Sequence, residues 1–382
     1  MRVLILGGDG YLGWPTAMHF AVQGHDVLVV DNYLRRNIAR ETQSEALMRN
    51  PNLHERAAIF ESLIGRHIDV RIVDCARYDE LDEIVEQFRP ETLIHYAEQP
   101  SAPYSMIGHR EARTTLNNNL NVTFNVAWTI IRHVPDCHII KLGTMGEYGT
   151  PNIDIEEGWI DINHRGRSEH FLFPRQGGSL YHTTKVLDTD LLWFYVRLYG
   201  IRVTDLMQGP VYGLGTPEAN ADKRLLPNFH YDDIFGTVLN RFLVQAIAGI
   251  PLTVYGKGEQ IRGYLNLQDT LGCIQLAADH PAQKGELRIL NQFTQQFSVN
   301  ELAAFVQRAA TNIGINVSIQ HIANPRKEKE EHYYNARHQA LTDMGLEPHL
   351  LTDEVLVRML ECIAPYRAHI DETKVLPRVR WS

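Results

Sequence analysis

Long apolar runs are missing from this chain: nothing in it approaches the roughly 18 consecutive apolar residues that carry a helix across a bilayer. A basic excess is missing as well. Lysine and arginine number 37 against 46 aspartates and glutamates, a net charge of -9, which argues against a protein that grips nucleic-acid phosphates. Cysteine is scarce, and Cys75, Cys137, Cys273 and Cys362 lie too far apart for metal-ligand spacing, so they are expected as reduced, mostly buried thiols. The 18 histidines form no paired-ligand pattern, and no metal is expected. Internal repeats and low-complexity tracts are absent. No leader-like segment stands before the first apolar run, Arg2–Leu6, which points to the cytoplasm with no membrane partner.

What is present is enough apolar residue, 44% of 382, to bury a large core, expected as one large domain with a smaller lobe. Arg2–Leu6 reads as a strand. It runs into Gly7-Gly8-Asp9-Gly10-Tyr11-Leu12-Gly13, then an apolar-periodic helix to Gln23, a stop at Gly24, and a second strand ending in Asp31. That is a βαβ unit of the length that binds dinucleotides. Gly7, Gly10 and Gly13 leave room for backbone N–H groups to reach a pyrophosphate at the helix N-terminus, with Tyr11 and Leu12 opening the helix beside it. Asp31 stands where an acid bonds the adenosine ribose, which favours NAD; Arg35 and Arg36 just beyond keep NADP open.

Downstream, strand and helix alternate: strand 69–73 ending in Asp74-Cys75 where an adenine lies, helix 78–88, and strand 92–96 delivering Ala97-Glu98-Gln99 at its carboxyl end. Helix 112–133 carries Asn117, Asn118 and Asn119, poor helix formers whose amides suggest a bonding task, Asn118 toward the cofactor. Strand 138–142 delivers Thr144, helix 180–199 follows with Ser179 as N-cap, and strand 201–206 leads to Gln208 and Val211. The alternation predicts an α/β fold, a doubly wound parallel sheet of the Rossmann type. Residues 1–215 are expected to hold mainly NAD, and 216–382 to form a smaller α/β substrate lobe with some exchange of strands and helices. Within that lobe 252–264 reads as a hairpin-like piece with a glycine turn and a protruding Arg262.

Tyr181 and Lys185 stand one helical turn apart, close enough for the ammonium to lower the phenol's pKa and make it a general base; Thr144 completes the proton-transfer group. Arg262 and Arg326 suit the paired oxygens of phosphates, Tyr255 and Gln260 a nucleobase or ribose, and Gln99, Ser101 and Gln208 sugar hydroxyls.

By its G-x-x-G-x-x-G at Gly7, Y-x-x-x-K at Tyr181 and the run Val254-x-Gly256-x-Gly258-x-Gln260-x-Arg262, the chain resembles the extended short-chain dehydrogenase/reductase superfamily. More narrowly it resembles the UDP-sulfoquinovose synthase family. The strings that carry this are Gly7-Gly8-Asp9-Gly10-Tyr11, Asp31-Asn32 with Arg35-Arg36, Ser101-Ala102-Pro103-Tyr104-Ser105-Met106, and LGTMGEYGTPNIDIEE from Leu142. Further on they are Phe235-Gly236-Thr237, LTVYGKG from Leu252, Asn291-Gln292-Phe293-Thr294, Asn324-Pro325-Arg326, and His332-Tyr333-Tyr334-Asn335-Ala336. The resemblance implies UDP-glucose and sulfite as substrates and a tightly held, recycled NAD. It implies oxidation at carbon 4 with Tyr181 as base, loss of the carbon-5 proton and the carbon-6 hydroxyl, sulfite addition at carbon 6, and re-reduction. Lys185 is then pKa shifter and ribose ligand. Glu147 is the candidate carbon-5 base and His182 its alternate, or the acid for the departing oxygen. Related 4,6-dehydratases carry Thr-Asp-Glu where this chain has Thr144-Met145-Gly146, so Met145 is expected as an apolar floor for the incoming anion. Pro100 replaces an arginine of plant-like members, which changes the charge near the sugar. Two other readings are a UDP-hexose 4-epimerase or dehydratase and a non-catalytic NAD sensor. The superfamily's habit of pairing the helices at 112–133 and 180–199 across a two-fold axis implies a homodimer.

Overall fold

From Val3 to Leu6 the first strand has no exposed surface, so it must lie in the middle of a sheet covered on both faces, where an unbroken apolar run is what a parallel strand requires. The computed structural model, which describes residues 1–325 and 333–380, places it there. Strand β1 (Arg2–Leu6) leads through α1 (Gly13–Val22) to β2 (Asp26–Asp31); α2 (Leu34–Glu41) and α3 (Leu53–Ile64) precede β3 (Asp69–Ile72). Then come α4 (Tyr78–Phe88), β4 (Thr92–His95), the one-turn α5 (Ala102–Ser105), α6 (His109–His133) and β5 (His138–Thr144). An antiparallel hairpin, β6 (Trp159–His164) and β7 (Arg167–Leu172), leads into α7 (Leu180–Tyr199) and β8 (Arg202–Gln208).

The rest is β9 (Val211–Tyr212), α8 (Val238–Ala248), β10 (Leu252–Tyr255), β11 (Ile261–Asn266), α9 (Leu267–Asp279), β12 (Leu287–Gln292), β13 (Gln295–Ser298), α10 (Val299–Asn312), β14 (Ile319–Ile322), α11 (Ala340–Asp343) and α12 (Asp353–Ile363). The main sheet is parallel in the order β3-β2-β1-β4-β5-β8-β12. The order in which successive strands are laid down reverses between β1 and β4, so the crevice for a ligand opens at their carboxyl ends. Strand β12 enters this sheet from beyond residue 216.

Helix α7 has the expected bounds because both ends are specified locally. Ser179 Oγ accepts the His182 backbone N–H, and Gly200 ends the helix at a φ of 69°. Helix α6 starts at His109, three residues earlier than its apolar periodicity predicts. The hairpin expected over 252–264 does not form. Gly256 and Gly258 both take positive φ and turn the chain out of plane, so β10 pairs with β14 while β11 pairs with β13 and β9. No helix among the described residues is long and apolar enough to cross a membrane.

Candidate active site

The carboxyl ends of β1, β4, β5 and β8 open on one cavity of about 400 Å³. At its floor the glycine loop packs too closely for any side chain: a Cβ on Gly13 would lie 2.1 Å from the Gly7 carbonyl oxygen, and one on Gly7 would lie 2.7 Å from the Tyr96 carbonyl carbon. The first turn of α1, with Tyr11 and Leu12 before it, therefore faces the cavity, a cradle that fits a pyrophosphate. Asp31 lies at the rim. Its carboxylate accepts the backbone N–H groups of Asp9 at 2.9 Å and Tyr33 at 2.6 Å. Burial pushes it up to about 6 and the Asp9 charge adds to this, against the two N–H donors. Asn32, Asp74 and Cys75 line the same end, the Asn32 amide donating to Asp74 at 3.0 Å.

Of the two arginines beyond Asp31, Arg36 is spent elsewhere. Arg36 grips Asp9 at 2.5 and 2.7 Å and the carbonyls of Asn50 and Pro51, while Arg35, at the cavity wall, lies over the Phe235 ring at 5.0 Å. Asp9 also takes the fully buried Arg56 at 3.1 Å, so Arg36 does not stand open to a 2′-phosphate. The expectation that it keeps NADP open is corrected on this point.

Thr144, at the end of β5, and Tyr181, in the first turn of α7, line the opposite end of the cavity. The Tyr181 N–H is held by Ser105 Oγ at 3.1 Å. Lys185 follows one turn later, but its ammonium is not dedicated to the phenol. It contacts Glu98 Oε1 at 2.7 Å and donates to the Leu142 carbonyl at 2.5 Å, with its nitrogen 5.9 Å from the centre of the Tyr181 ring. Protein groups alone push the phenol up: burial first, then the charges of Glu98 and Glu147, against Lys141. The sequence reading of Lys185 as a plain acidifier of Tyr181 is corrected accordingly, since a carboxylate balances the ammonium.

Glu147 lies away from the cavity. It is fully buried, its Oε1 3.4 Å from Lys141 and its Oε2 3.4 Å from Arg175, and it caps its own turn by accepting the Thr144 N–H at 3.2 Å. Lys141, buried in β5, also meets Asp205 at 3.1 Å and Thr189 at 2.7 Å. A carboxylate locked in this network does not reach a sugar, which corrects its candidacy as carbon-5 base. Met145 is corrected too: it packs into the core with Tyr148 and Phe173 instead of flooring the cavity. His182 sits beside Tyr181, ring centres 5.1 Å apart, its Nδ1 3.0 Å from Ser179 Oγ and its Nε2 against Gly146, where a Cβ would meet it at 2.4 Å.

The three asparagines of α6 divide by position. Asn117 is exposed, Asn118 lines the cavity, and Asn119 is buried, accepting the Gln99 N–H at 2.8 Å. Gln99 is consequently a loop brace, bonding Thr115 at 2.8 Å and Ser101 at 3.0 Å, and does not face the cavity. Ala97, Ser101, Gln208 and Val211 do line it. Tyr255, Gln260 and Arg262 lie in the smaller lobe outside the cavity wall: Gln260 is buried, and Arg241 stacks on Tyr255 at 4.0 Å. Arg326 lies outside the described residues.

Two features escape the sequence reading. Glu98 lies in the wall between two residues that were singled out, and only its contact with Lys185 marks it. The other is the segment 225–237, which crosses the cavity: Asn228 Nδ2 donates to the Asp9 carbonyl at 2.8 Å, and Ser101 Oγ donates to the Ile234 carbonyl at 2.5 Å. Its signal was the Phe235-Gly236-Thr237 string, which carries no chemistry by itself.

The chain matches the NAD dependent epimerase/dehydratase family over residues 3–291. It is 46% identical to the chloroplastic UDP-sulfoquinovose synthase of Spinacia oleracea, over 100% of this chain and 79% of that protein. It is 41% identical to the UDP-sulfoquinovose synthase of Sulfolobus acidocaldarius, over 100% of this chain and 98% of that one. Among solved structures, the UDP-glucose 4-epimerase of Bifidobacterium longum in complex with NAD+ and UDP superposes with a TM-score of 0.71 at 17% identity, over 98% of this chain and 100% of that one. At that identity the likeness is one of fold.

Proposed function

The chain belongs to the UDP-sulfoquinovose synthases of the NAD-dependent epimerase/dehydratase family, and on that footing we propose that it joins UDP-glucose and sulfite into UDP-sulfoquinovose. The observation that carries the reading is one continuous cavity lined by the glycine cradle, Asp31, Thr144 and Tyr181. NAD, when bound, supplies the site that takes up the carbon-4 hydride of the sugar and gives it back. Asp31 fits the ribose hydroxyls, the cradle fits the pyrophosphate, and Asn118 and Val211 stand at the walls.

Tyr181 accepts the proton of the 4-hydroxyl, with Thr144 sharing the hydrogen bond and so holding the oxygen in line. Once carbon 4 is a ketone the neighbouring carbon-5 proton is acidic. His182, which neighbours Tyr181 though it is not itself in the cavity wall, is the group we assign to that proton and to the departing carbon-6 oxygen, now that Glu147 is committed to Lys141 and Arg175. Sulfite, entering as bisulfite, then bonds to carbon 6 of the exposed alkene while its proton passes to carbon 5, and Tyr181 returns its proton to the carbon-4 oxygen as the ketone is reduced.

Arg262, Gln260 and Tyr255 are assigned to the UDP moiety, with Arg326 beyond the described residues, and Ser101 and Gln208 to the sugar. Residues 1–215 then serve mainly NAD and 216–382 mainly the nucleotide sugar. A homodimer is proposed from the exposed apolar side chains of α6 and α7, and a cytoplasmic location from four free cysteines. The test is incubation of purified protein with UDP-glucose, NAD and isotopically labelled sulfite, followed by mass analysis of the nucleotide sugar. A sulfonated product carrying the label is expected. UDP-galactose or a dehydrated sugar in its place, with no label incorporated, overturns the assignment.

A further inference from the structure

Glu98 is a buried acid in the cavity wall that the proposed reaction leaves unused. Its side chain is 2% exposed and lines the cavity where Tyr181 does, and its Oε1 lies 2.7 Å from Lys185 Nζ, itself 4% exposed. Neither Glu98 oxygen accepts a directed hydrogen bond from any described residue. The charge is thus held by the ion contact alone, with His95 Nε2 further off at 3.5 Å. A buried carboxylate with so few donors is costly unless it faces a cation, and Lys185 is the cation in contact. The ammonium has a second anchor in the Leu142 carbonyl at 2.5 Å, so it is fixed in place.

We propose that Glu98 is a positioning residue for Tyr181: by neutralising Lys185 it keeps the phenol protonated until a positive charge arrives from the cofactor side of the cavity. The inference rests on the reading of Tyr181 as the acceptor of the carbon-4 hydroxyl proton.

The charges facing Tyr181 fix the direction. From its own helix come Lys185, His182 and Asp188; from the β4 end come Glu98 and His95; from β5 and the turn after it come Lys141 and Glu147. Burial pulls His95 down to about 4, so it is neutral near pH 7. Burial pushes the Asp188 carboxyl well up, and the Glu98 charge adds to this. Lys141 is balanced by Asp205 and Glu147. Lys185 and Glu98 form a closed pair at 2.7 Å, with the Lys185 nitrogen 5.9 Å from the centre of the Tyr181 ring.

A lysine with no carboxylate would make Tyr181 a base at all times. With Glu98 present, a cationic, oxidised nicotinamide held beside Tyr181 would favour the phenolate, the form able to take up the 4-hydroxyl proton, and without that positive charge Tyr181 would keep its proton. The proton is then neither lost to water nor returned early while carbons 5 and 6 react, and it remains available for carbon 4 at the end. No net electron or proton is required from outside.

The test is titration of Tyr181 by carbon-13 NMR of tyrosine labelled at Cζ, its signal assigned by its loss in Tyr181→Phe, in protein loaded with NADH. In Glu98→Gln the Tyr181 phenol is expected to ionise about one pH unit or more lower than in wild type, because an anion near it has gone. Glu98→Asp, which keeps the charge, is expected to bring the titration back toward wild type. An unmoved titration in Glu98→Gln, or one that moves upward, overturns the inference. Should Glu98→Gln not fold, the wild-type protein decides: the phenol must ionise at least one pH unit lower with NAD than with NADH, and equal titrations overturn the inference. A Tyr181→Phe variant that still reduces NAD with UDP-glucose at the wild-type rate sinks the underlying reading instead, so the two failures are distinguishable.

Discussion

Asp31 turns a binding contact into a pH-dependent one. Its carboxyl, pushed up to about 6 by burial and by Asp9, is half protonated at that pH and charged above it. Ribose hydroxyls donate to the charged form, so NAD affinity is expected to be flat above pH 7 and to fall with acidification below 6, by up to about tenfold per pH unit. Calorimetric titration of NAD into the protein across pH 5 to 8 measures this on the order of single units. Asp31→Asn is expected to bind more weakly at pH 7 and to lose the slope; a slope that survives in that variant removes Asp31 as its source. Glu147 makes a second, opposite kind of prediction. Because it is paired with buried Lys141 and Arg175, Glu147→Gln is expected to cost about 3 kcal/mol of stability in denaturant unfolding. The folded fraction should still exchange the carbon-5 proton of UDP-glucose with deuterium, whereas His182→Ala should lose that exchange while retaining NADH formation. Exchange lost in Glu147→Gln and kept in His182→Ala would reverse the two roles.

At the scale of elements, the βαβ start and α7 could be read from the sequence because their ends are set by local chemistry. Ser179 caps α7, Gly24 and Gly200 stop the two helices, and the apolar period in between matches the buried face. The site was legible where it sits at the carboxyl ends of strands, as with Asp31 and Thr144, and in the capped first turn of α7, as with Tyr181. It was not legible where tertiary partners decide. Gln99, Glu147 and Met145 stand beside true cavity residues in the chain and turn into the core, a choice that depends on Asn119, Lys141 and the packing of Tyr148. The segment 225–237 has no period at all, and its position comes from scattered bonds: His230 to the Ser44 carbonyl at 2.9 Å, Asn50 to the Leu226 carbonyl at 2.7 Å, and Asp233 to Arg378 at 2.7 Å. This strap closes over the glycine cradle and is pinned from outside by the C-terminal tail. Arg378→Ala removes the charge-assisted bonds to Asp233; at a partly exposed site that is worth about 1 kcal/mol, or about a fivefold faster NAD dissociation. Stopped-flow displacement of NAD measures it, and an unchanged rate would mean the strap is held without the tail.

For the whole molecule, the cavity depends on both halves of the chain. Strand β12 completes the sheet that presents Thr144, and α8 and α10 pack with α12 to carry the smaller lobe, so the lobes form one body around the site. What this body leaves uncovered is one face of α7. Leu187, Phe194 and Leu198 recur at helical spacing and are 41%, 48% and 59% exposed, next to Phe124 of α6 at 43%. Trp128, Tyr195 and Tyr199 form an aromatic bed beneath them, with ring centres 5.6 to 5.9 Å apart. An apolar stripe of this size on two adjacent helices that run in the same direction suits a second copy of itself across a two-fold axis, since each copy supplies the same pair and four helices then enclose the stripe. Phe194→Glu with Leu198→Glu places like charges against each other at that axis and costs, within one chain, the edge contact of Phe194 on Tyr195 at 5.3 Å. Sedimentation velocity at micromolar concentration is expected to show a dimer for wild type and a monomer for the double variant, with the unfolding midpoint of the variant made independent of protein concentration. A wild-type protein that sediments as a monomer would leave the α6 and α7 face without its partner and remove the dimer from the reading.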